Sequence, residues 1–267
     1  MKRPKIFFIT ILLLLPCTKG FADEKLTMAA IDSPPYYNAN VLPGEKRGIA
    51  IDIASNAFKA VNTDVTIEFI PMARTVWAIT TGKYPVMLGT PKWFASDNKE
   101  HLIESIDLLV IRFLLFYRKD RFPNGLSYKS LHELKKYTIG NVRGSSTISI
   151  LKTAGLNMEL VRKVELNFKK LYAGRVDLAV GVDLSGWDVL KKIYPNSINE
   201  FATIEKPFFS ANVSAIFLKK QTDLIRKFRI GLGKILKDGT YNSIIKEYYG
   251  KDQALEDILP DSLHNLK

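Results

Sequence analysis

The chain has one cysteine in 267 residues, Cys17, and only three histidines, His101, His132 and His264. A single thiol excludes a disulfide framework. The histidines are far apart and lack acidic residues at ligand spacing, so neither a metal site nor a cofactor is expected. No Ser-His-Asp pattern and no G-x-S-x-G elbow is present. After residue 22 no run approaches the roughly 20 apolar residues of a membrane helix. The longest candidate, 106–117, is interrupted by Asp107 and Arg112. Internal repeats, low-complexity segments and flexible linkers are missing too.

The N-terminus is the first feature present. Lys2, Arg3 and Lys5 precede ten mostly apolar residues, 6–15, and Gly20 and Ala22 occupy the −3 and −1 positions of a cleavage site. Residues 1–22 are therefore expected to be a cleavable signal peptide and the mature chain to be periplasmic. An uncleaved anchor is one alternative. A lipoprotein at Cys17 is another, which the preceding Pro16 fits poorly. The net charge is +12, and a leader with four basic residues and no acid leaves +8 on the rest. Those charges are scattered, as in Lys169, Lys170, Lys191 and Lys192. They suit a solvated surface whose field attracts anionic ligands at long range. Nucleic acid is not expected as a partner in that compartment.

Apolar periodicity divides the chain into two α/β halves. Strands are expected at 26–31, 65–71 and 85–90, with helices at 47–62 and 73–83 between them. Such a β-α-β-α-β series implies a mostly parallel sheet with covering helices. A second series follows: an extended apolar stretch at 108–120, helices at 130–137, 145–155 and 187–195, and strands at 138–142 and 177–182. After residue 205 come a strand at 213–220 and helices at 222–239 and 240–250. The first of those helices is expected to open on a Thr222-Asp223 cap, and both to end at glycine.

Six segments in order resemble the periplasmic amino-acid-type solute-binding proteins of ABC transporters. They are "SPPYY" (33–37), "GIAIDIASNAF" (48–58), "IPMARTVWAITTGK" (70–83), "TIGNVRGSS" (138–146), "LYAGRVDLAV" (171–180) and "LKDGTYNSIIKEYYG" (236–250). The resemblance implies an α/β, type II two-lobe fold, each lobe a mostly parallel sheet flanked by helices. Lobe 1 would be discontinuous, 23–112 plus 211–267, and lobe 2 would span 113–210. Two strands near 111–114 and 209–212 would form the hinge. A small-molecule ligand would lie in the cleft, and lobe closure would trap it.

A zwitterionic amino acid needs donors for its carboxylate, an acid for its ammonium and a pocket for its side chain. Tyr36 and Tyr37 follow Pro34 and Pro35, which stiffen the loop and remove two backbone donors. One or both rings could stack on a ligand; the other reading is that they pack into the lobe. Gly144, Ser145 and Ser146 lie where a strand turns into a helix, with Arg143 adding charge, an arrangement suited to an anion. Ser145 could equally be an ordinary helix cap. Asp183 follows a strand and could receive an ammonium, but stands one residue beyond the position the family's spacing implies, where alternation would turn it away. The family's Thr-x-x-Arg carboxylate clamp is replaced by Ser96-x-x-Lys99, and lysine lacks the planar fork. Either Lys99 makes a looser contact, or the ligand is not an ordinary α-amino acid. Thr90 and Trp93 are further candidates in that loop. Arg74 could supply charge or serve only the start of its helix.

The function implied is capture of a small polar ligand, an amino acid or a related compound, by a monomeric protein. An ABC permease in the inner membrane would be its partner. A free-standing ligand sensor is a second reading. A dehydratase of the arogenate or prephenate type is a third; it needs a cleft acid or base, for which Glu205 and Asp183 are the candidates.

Overall fold

The structure is a computed structural model describing residues 25–42, 44–95, 98–250 and 255–266. The expected signal peptide and Ser96 lie outside the described residues. The first series consists of β1 (Leu26–Ala30), α1 (Ile49–Lys59), β2 (Val65–Phe69), α2 (Thr75–Thr80) and β3 (Val86–Gly89). β1 runs parallel to both β2 and β3. The helical spacing of Ile49, Ile53 and Ala57 becomes the buried face of α1.

A short helix α3 (Lys92–Ala95) leads to β4 (Ile103–Arg118), a strand of 16 residues. The second series is β5 (Thr138–Val142), α4 (Ile148–Thr153), β6 (Asn157–Val161), α5 (Val164–Tyr172), β7 (Leu178–Val182) and α6 (Asp183–Ile193). β5 runs parallel to β6 and β7. The chain then forms β8 (Phe201–Thr203), β9 (Phe209–Leu218), α7 (Thr222–Lys237) and α8 (Thr240–Tyr249). α7 packs on α1, where Phe228 meets Phe58 with ring centroids 4.8 Å apart.

The strand order is β2-β1-β3-β9-β4-β7-β5-β6, with β8 also on β4. β4 and β9 are antiparallel from the Ile103–Leu218 pair to the Phe113–Phe209 pair. At one end β9 continues onto β3; at the other β4 continues onto β7. These two strands thus cross between the halves. Their crossing carries Val110, Ile111, Arg112 and Phe113 opposite Asn212, Ala211, Ser210 and Phe209. The apolar cores separate accordingly. One joins Met28, Phe58, Leu88, Phe217 and Phe228. Others join Leu115, Ile139 and Val180, or Phe116, Phe168 and Leu190.

Several boundaries differ from the sequence reading. The helix expected over 130–137 is one 3-10 turn, Leu131–Leu134, opened by a Ser130–Glu133 capping box. α4 begins at Ile148, three residues late, because Ser145 Oγ accepts from Thr147 N and holds a turn ahead of the helix. α6 begins at Asp183, four residues early. The N-cap of α7 is Gln221, whose side chain instead accepts from Leu218 N, and Thr222 and Asp223 already lie inside the helix. No helix among the described residues is long and apolar enough to cross a membrane.

Candidate functional site

The loop after β1 is built by its own backbone. Ser33 N donates to Tyr37 O at 2.8 Å, and Ser33 O accepts from the N–H groups of Tyr36 and Tyr37. The Pro34–Pro35 bond is cis. The carbonyls of Pro35 and Tyr36 accept from Ile49 N and Ala50 N at 3.1 and 3.2 Å. The loop therefore caps α1, whose N-cap Gly48 has no side chain to do so. Gly48 has φ +123°, and a Cβ there would sit 2.4 Å from the Tyr36 carbonyl oxygen. Only glycine permits this approach.

Both tyrosines are inward-facing, 5% and 4% exposed. The Tyr36 hydroxyl donates to Asp183 Oδ1 at 2.5 Å. Asp183 Oδ1 also accepts from Leu184 N at 2.8 Å. Its Oδ2 accepts from Tyr249 OH at 3.2 Å and Arg112 Nε at 3.3 Å. Asp183 is 3% exposed. One carboxylate thus joins the loop after β1, the crossing strand β4, the helix α8 and the start of α6. Burial first, then the charge of its neighbours, pushes the Tyr36 phenol well above its ordinary range. Tyr249 is pushed up by burial and then by Asp183. β7 ends at Val182, so the alternation of a strand no longer sets the direction of Asp183. It is the first residue of a helix.

Beside this cluster lies a cavity of about 410 Å³. The loop after β1 lines it with Ile31, Ser33, Tyr36 and Tyr37. The end of β3 and α3 contribute Gly89, Thr90, Lys92 and Trp93. Ile111 and Phe113 come from β4, and Phe209, Ala211, Asn212 and Val213 from β9. The second half supplies Ser146, Val182 and Ser185. Among the described residues Lys92 is the one ionised side chain of the lining, and its ammonium sits 4.5 Å from the centre of the Phe209 ring. Phe209 in turn meets Phe113 at 5.3 Å. The Trp93 indole lies directly over Gly89, where a Cβ would stand 2.1 Å from the ring.

Of the residues singled out from sequence, Tyr36, Tyr37, Thr90, Trp93 and Ser146 meet in this lining. Arg74, Lys99, Arg143, Gly144, Ser145 and Asp183 do not line it. Arg74 closes the 3-10 turn Met72–Arg74 ahead of α2. Lys99 follows α3 and donates its N–H to Phe94 O at 3.0 Å. Arg143 is exposed and pairs its N–H with Val161 O. Ser145 Oγ lies 2.8 Å from the buried Thr147 hydroxyl, which also accepts from Asn141 Nδ2. Sequence reasoning missed Lys92, Ser33, Ser185, Arg112 and Tyr249. Arg112 was detectable as a lone charge inside an apolar strand, and Lys92 as a cation two residues after Thr90. Tyr249 carried no local signal. No group of three His, Cys, Asp or Glu among the described residues could hold a metal ion.

No protein-family model and no curated protein sequence matches the chain. Many solved structures do match in shape. The L-cystine solute receptor of Neisseria gonorrhoeae, unliganded and open, superposes with a TM-score of 0.67 at 16% identity. The match covers 85% of this chain and 94% of that one. An ancestral cationic amino acid solute-binding protein gives 0.66 at 17% identity, covering 84% and 95%. A histidine kinase sensor domain with similarity to periplasmic binding proteins gives 0.63 at 17% identity, covering 85% and 96%. With two α/β halves joined by β4 and β9, the chain has the two-lobe fold of the periplasmic solute-binding proteins.

Proposed function

We propose that this chain captures a small polar solute, an amino acid or a related compound, between its lobes and presents the closed form to an importer of the inner membrane. The observation that carries the proposal is the cavity of about 410 Å³ lined from both halves and both crossing strands. Ligand pockets have this size, this concavity and this mixture of apolar walls with a few polar groups. In this reading residues 23–112 and 211–267 move as one body against 113–210, and β4 and β9 flex between them. The chain works as an exported periplasmic monomer. Tyr36, Tyr37 and Trp93 provide aromatic walls, and Thr90 and Ser146 hydroxyl contacts.

The chemistry required is selective closure without turnover. Of the two acids considered for a dehydratase, Asp183 is consumed by four donors. Glu205 lines a separate cavity with Tyr117, Tyr128 and Lys206. A second reading, a ligand sensor that reports to a membrane receptor, draws support from the similarity to a kinase sensor domain. Both readings use the same cleft.

A thermal-shift panel of amino acids, polyamines and small carboxylates tests the proposal. A ligand that binds only the folded state raises Tm with concentration. The shift is expected to vanish in Ala211→Trp, which fills the cavity from β9. A panel that leaves Tm unchanged throughout, or a shift that survives Ala211→Trp, overturns it. Co-purification of the ligand-loaded protein with a permease separates transport from sensing.

A further inference from the structure

We infer that the cleft selects a carboxylate with an apolar body and no ammonium group. The inference rests on the cleft reading above and narrows its ligand class. The argument begins with Asp183. An ionised carboxylate has two oxygens and about four lone-pair positions. Tyr36 OH and Leu184 N fill Oδ1; Arg112 Nε and Tyr249 OH fill Oδ2. All four donors belong to the protein itself, and the group is 3% exposed. No acceptor position is left for a ligand ammonium.

The cavity lining offers no substitute. Among the described residues it contains neither aspartate nor glutamate, and Lys92 is the one ionised group. An ammonium entering the cavity would leave water, gain no counter-charge and face a like charge. A carboxylate meets the opposite conditions. Lys92 supplies the charge, and the hydroxyls of Ser33, Thr90, Ser146 and Ser185 are donors from both halves. The walls formed by Ile111, Phe113, Phe209 and Val213 suit an aliphatic or aryl-alkyl body. The class that fits is a monocarboxylate, including an amino acid whose nitrogen is removed or acylated.

Two matched sets of probes test this by calorimetric titration. One is 3-phenylpropanoate, phenylalanine and 2-phenylethylamine; the other is 4-methylpentanoate, leucine and 3-methylbutylamine. In each set the second probe carries both charges and the third only the ammonium. The carboxylate is expected to bind best, the zwitterion at least about tenfold weaker and the amine not measurably, since an ammonium there leaves water without gaining a counter-charge. Lys92 is exposed, so Lys92→Met leaves the fold intact and is expected to weaken carboxylate binding by at least about tenfold. A zwitterion that binds more tightly than its carboxylate partner and is lost in Ala211→Trp overturns the inference and leaves the cleft reading standing. So does carboxylate binding lost in Ala211→Trp but unchanged in Lys92→Met. No binding by any probe overturns the inference alone, and binding unchanged in Ala211→Trp overturns both.

Discussion

The Tyr36 hydroxyl donates to Asp183 Oδ1 at 2.5 Å, across 147 positions of sequence. One partner sits in a loop that caps α1; the other opens α6 in the opposite half. Their bond crosses between the two halves. Arg112 and Tyr249 close the same carboxylate from the other side.

Removing the Tyr36 hydroxyl should therefore weaken the whole molecule. A hydrogen bond to a charged group contributes about 1.5–3 kcal/mol. Tyr36→Phe should lose that much stability, with the urea midpoint falling and the m-value unchanged. Asp183→Asn keeps an oxygen for Tyr36 and Leu184 but removes the charge. Arg112, which is part-exposed and also pairs with Asp257 at 3.3 Å, then loses one of its two carboxylates. The loss is expected to be of similar size, about 1.5–3 kcal/mol. A Tyr36→Phe midpoint equal to that of the wild type would show that the bond contributes nothing.

Gly89 sets the position of Trp93. A methyl group at Gly89 would meet the indole at 2.1 Å, so the ring has to move. Overpacking of this kind costs about 1–3 kcal/mol. In Gly89→Ala the indole should leave the cavity wall, shifting tryptophan fluorescence and weakening any ligand bound there. If Gly89→Ala keeps the emission spectrum of wild type, Trp93 does not depend on the glycine; if the spectrum shifts and the affinity does not, Trp93 plays no part in binding.

Asp52 gives a test at acid pH. Burial raises its pKa above the ordinary carboxylate value, even though Tyr248 OH donates to it at 2.7 Å. The folded state then holds a proton that the unfolded chain releases. Stability from this group is greatest below the unfolded pKa near about 3.9 and declines as pH rises through the folded value. Asp52→Asn removes that slope. Relative to wild type the variant should become more stable as pH rises from acid towards neutral, as measured by urea unfolding across the range. A constant difference between the two proteins would show that Asp52 titrates alike in both states.

The sequence made the scaffold legible because periodicity reports burial directly. Ile49, Ile53 and Ala57 recur at helical spacing, and all are buried on α1. The extended apolar stretch at 108–120 is the strand that crosses between the halves. The site was harder to read. Strand alternation does not reach Asp183, because β7 ends one residue before it and α6 begins on it. Arg112 served only to break an apolar run, yet it is a partner of Asp183. Family spacing drew attention to Lys99, whereas the cation of the cavity lining is Lys92. Tyr249 reaches the cluster because α8 folds back over 66 positions, a tertiary relationship with no local pattern.

Alkaline pH should unfold the protein through its phenols. Burial is the largest cause raising the pKa of Tyr36, Tyr37, Tyr241, Tyr248 and Tyr249. In the unfolded chain a phenol titrates near about 10. Above that pH the unfolded state releases protons that the folded state still holds. The stabilisation is therefore fully present below about pH 10 and is lost as pH rises towards the folded values, by at most about 1.4 kcal/mol per pH unit for each proton retained and by less for the half-buried Tyr248, which solvent screens. Circular dichroism at 222 nm should report a cooperative loss of helix above pH 10. The phenolate absorbance of these five tyrosines should rise in the same transition, not before it. Tyr36→Phe removes one such proton and should make the loss of stability above pH 10 less steep, although the variant starts from a lower value at neutral pH. If all the phenolate absorbance appears while the helical signal is intact, the buried phenols are not held in their neutral form by the fold.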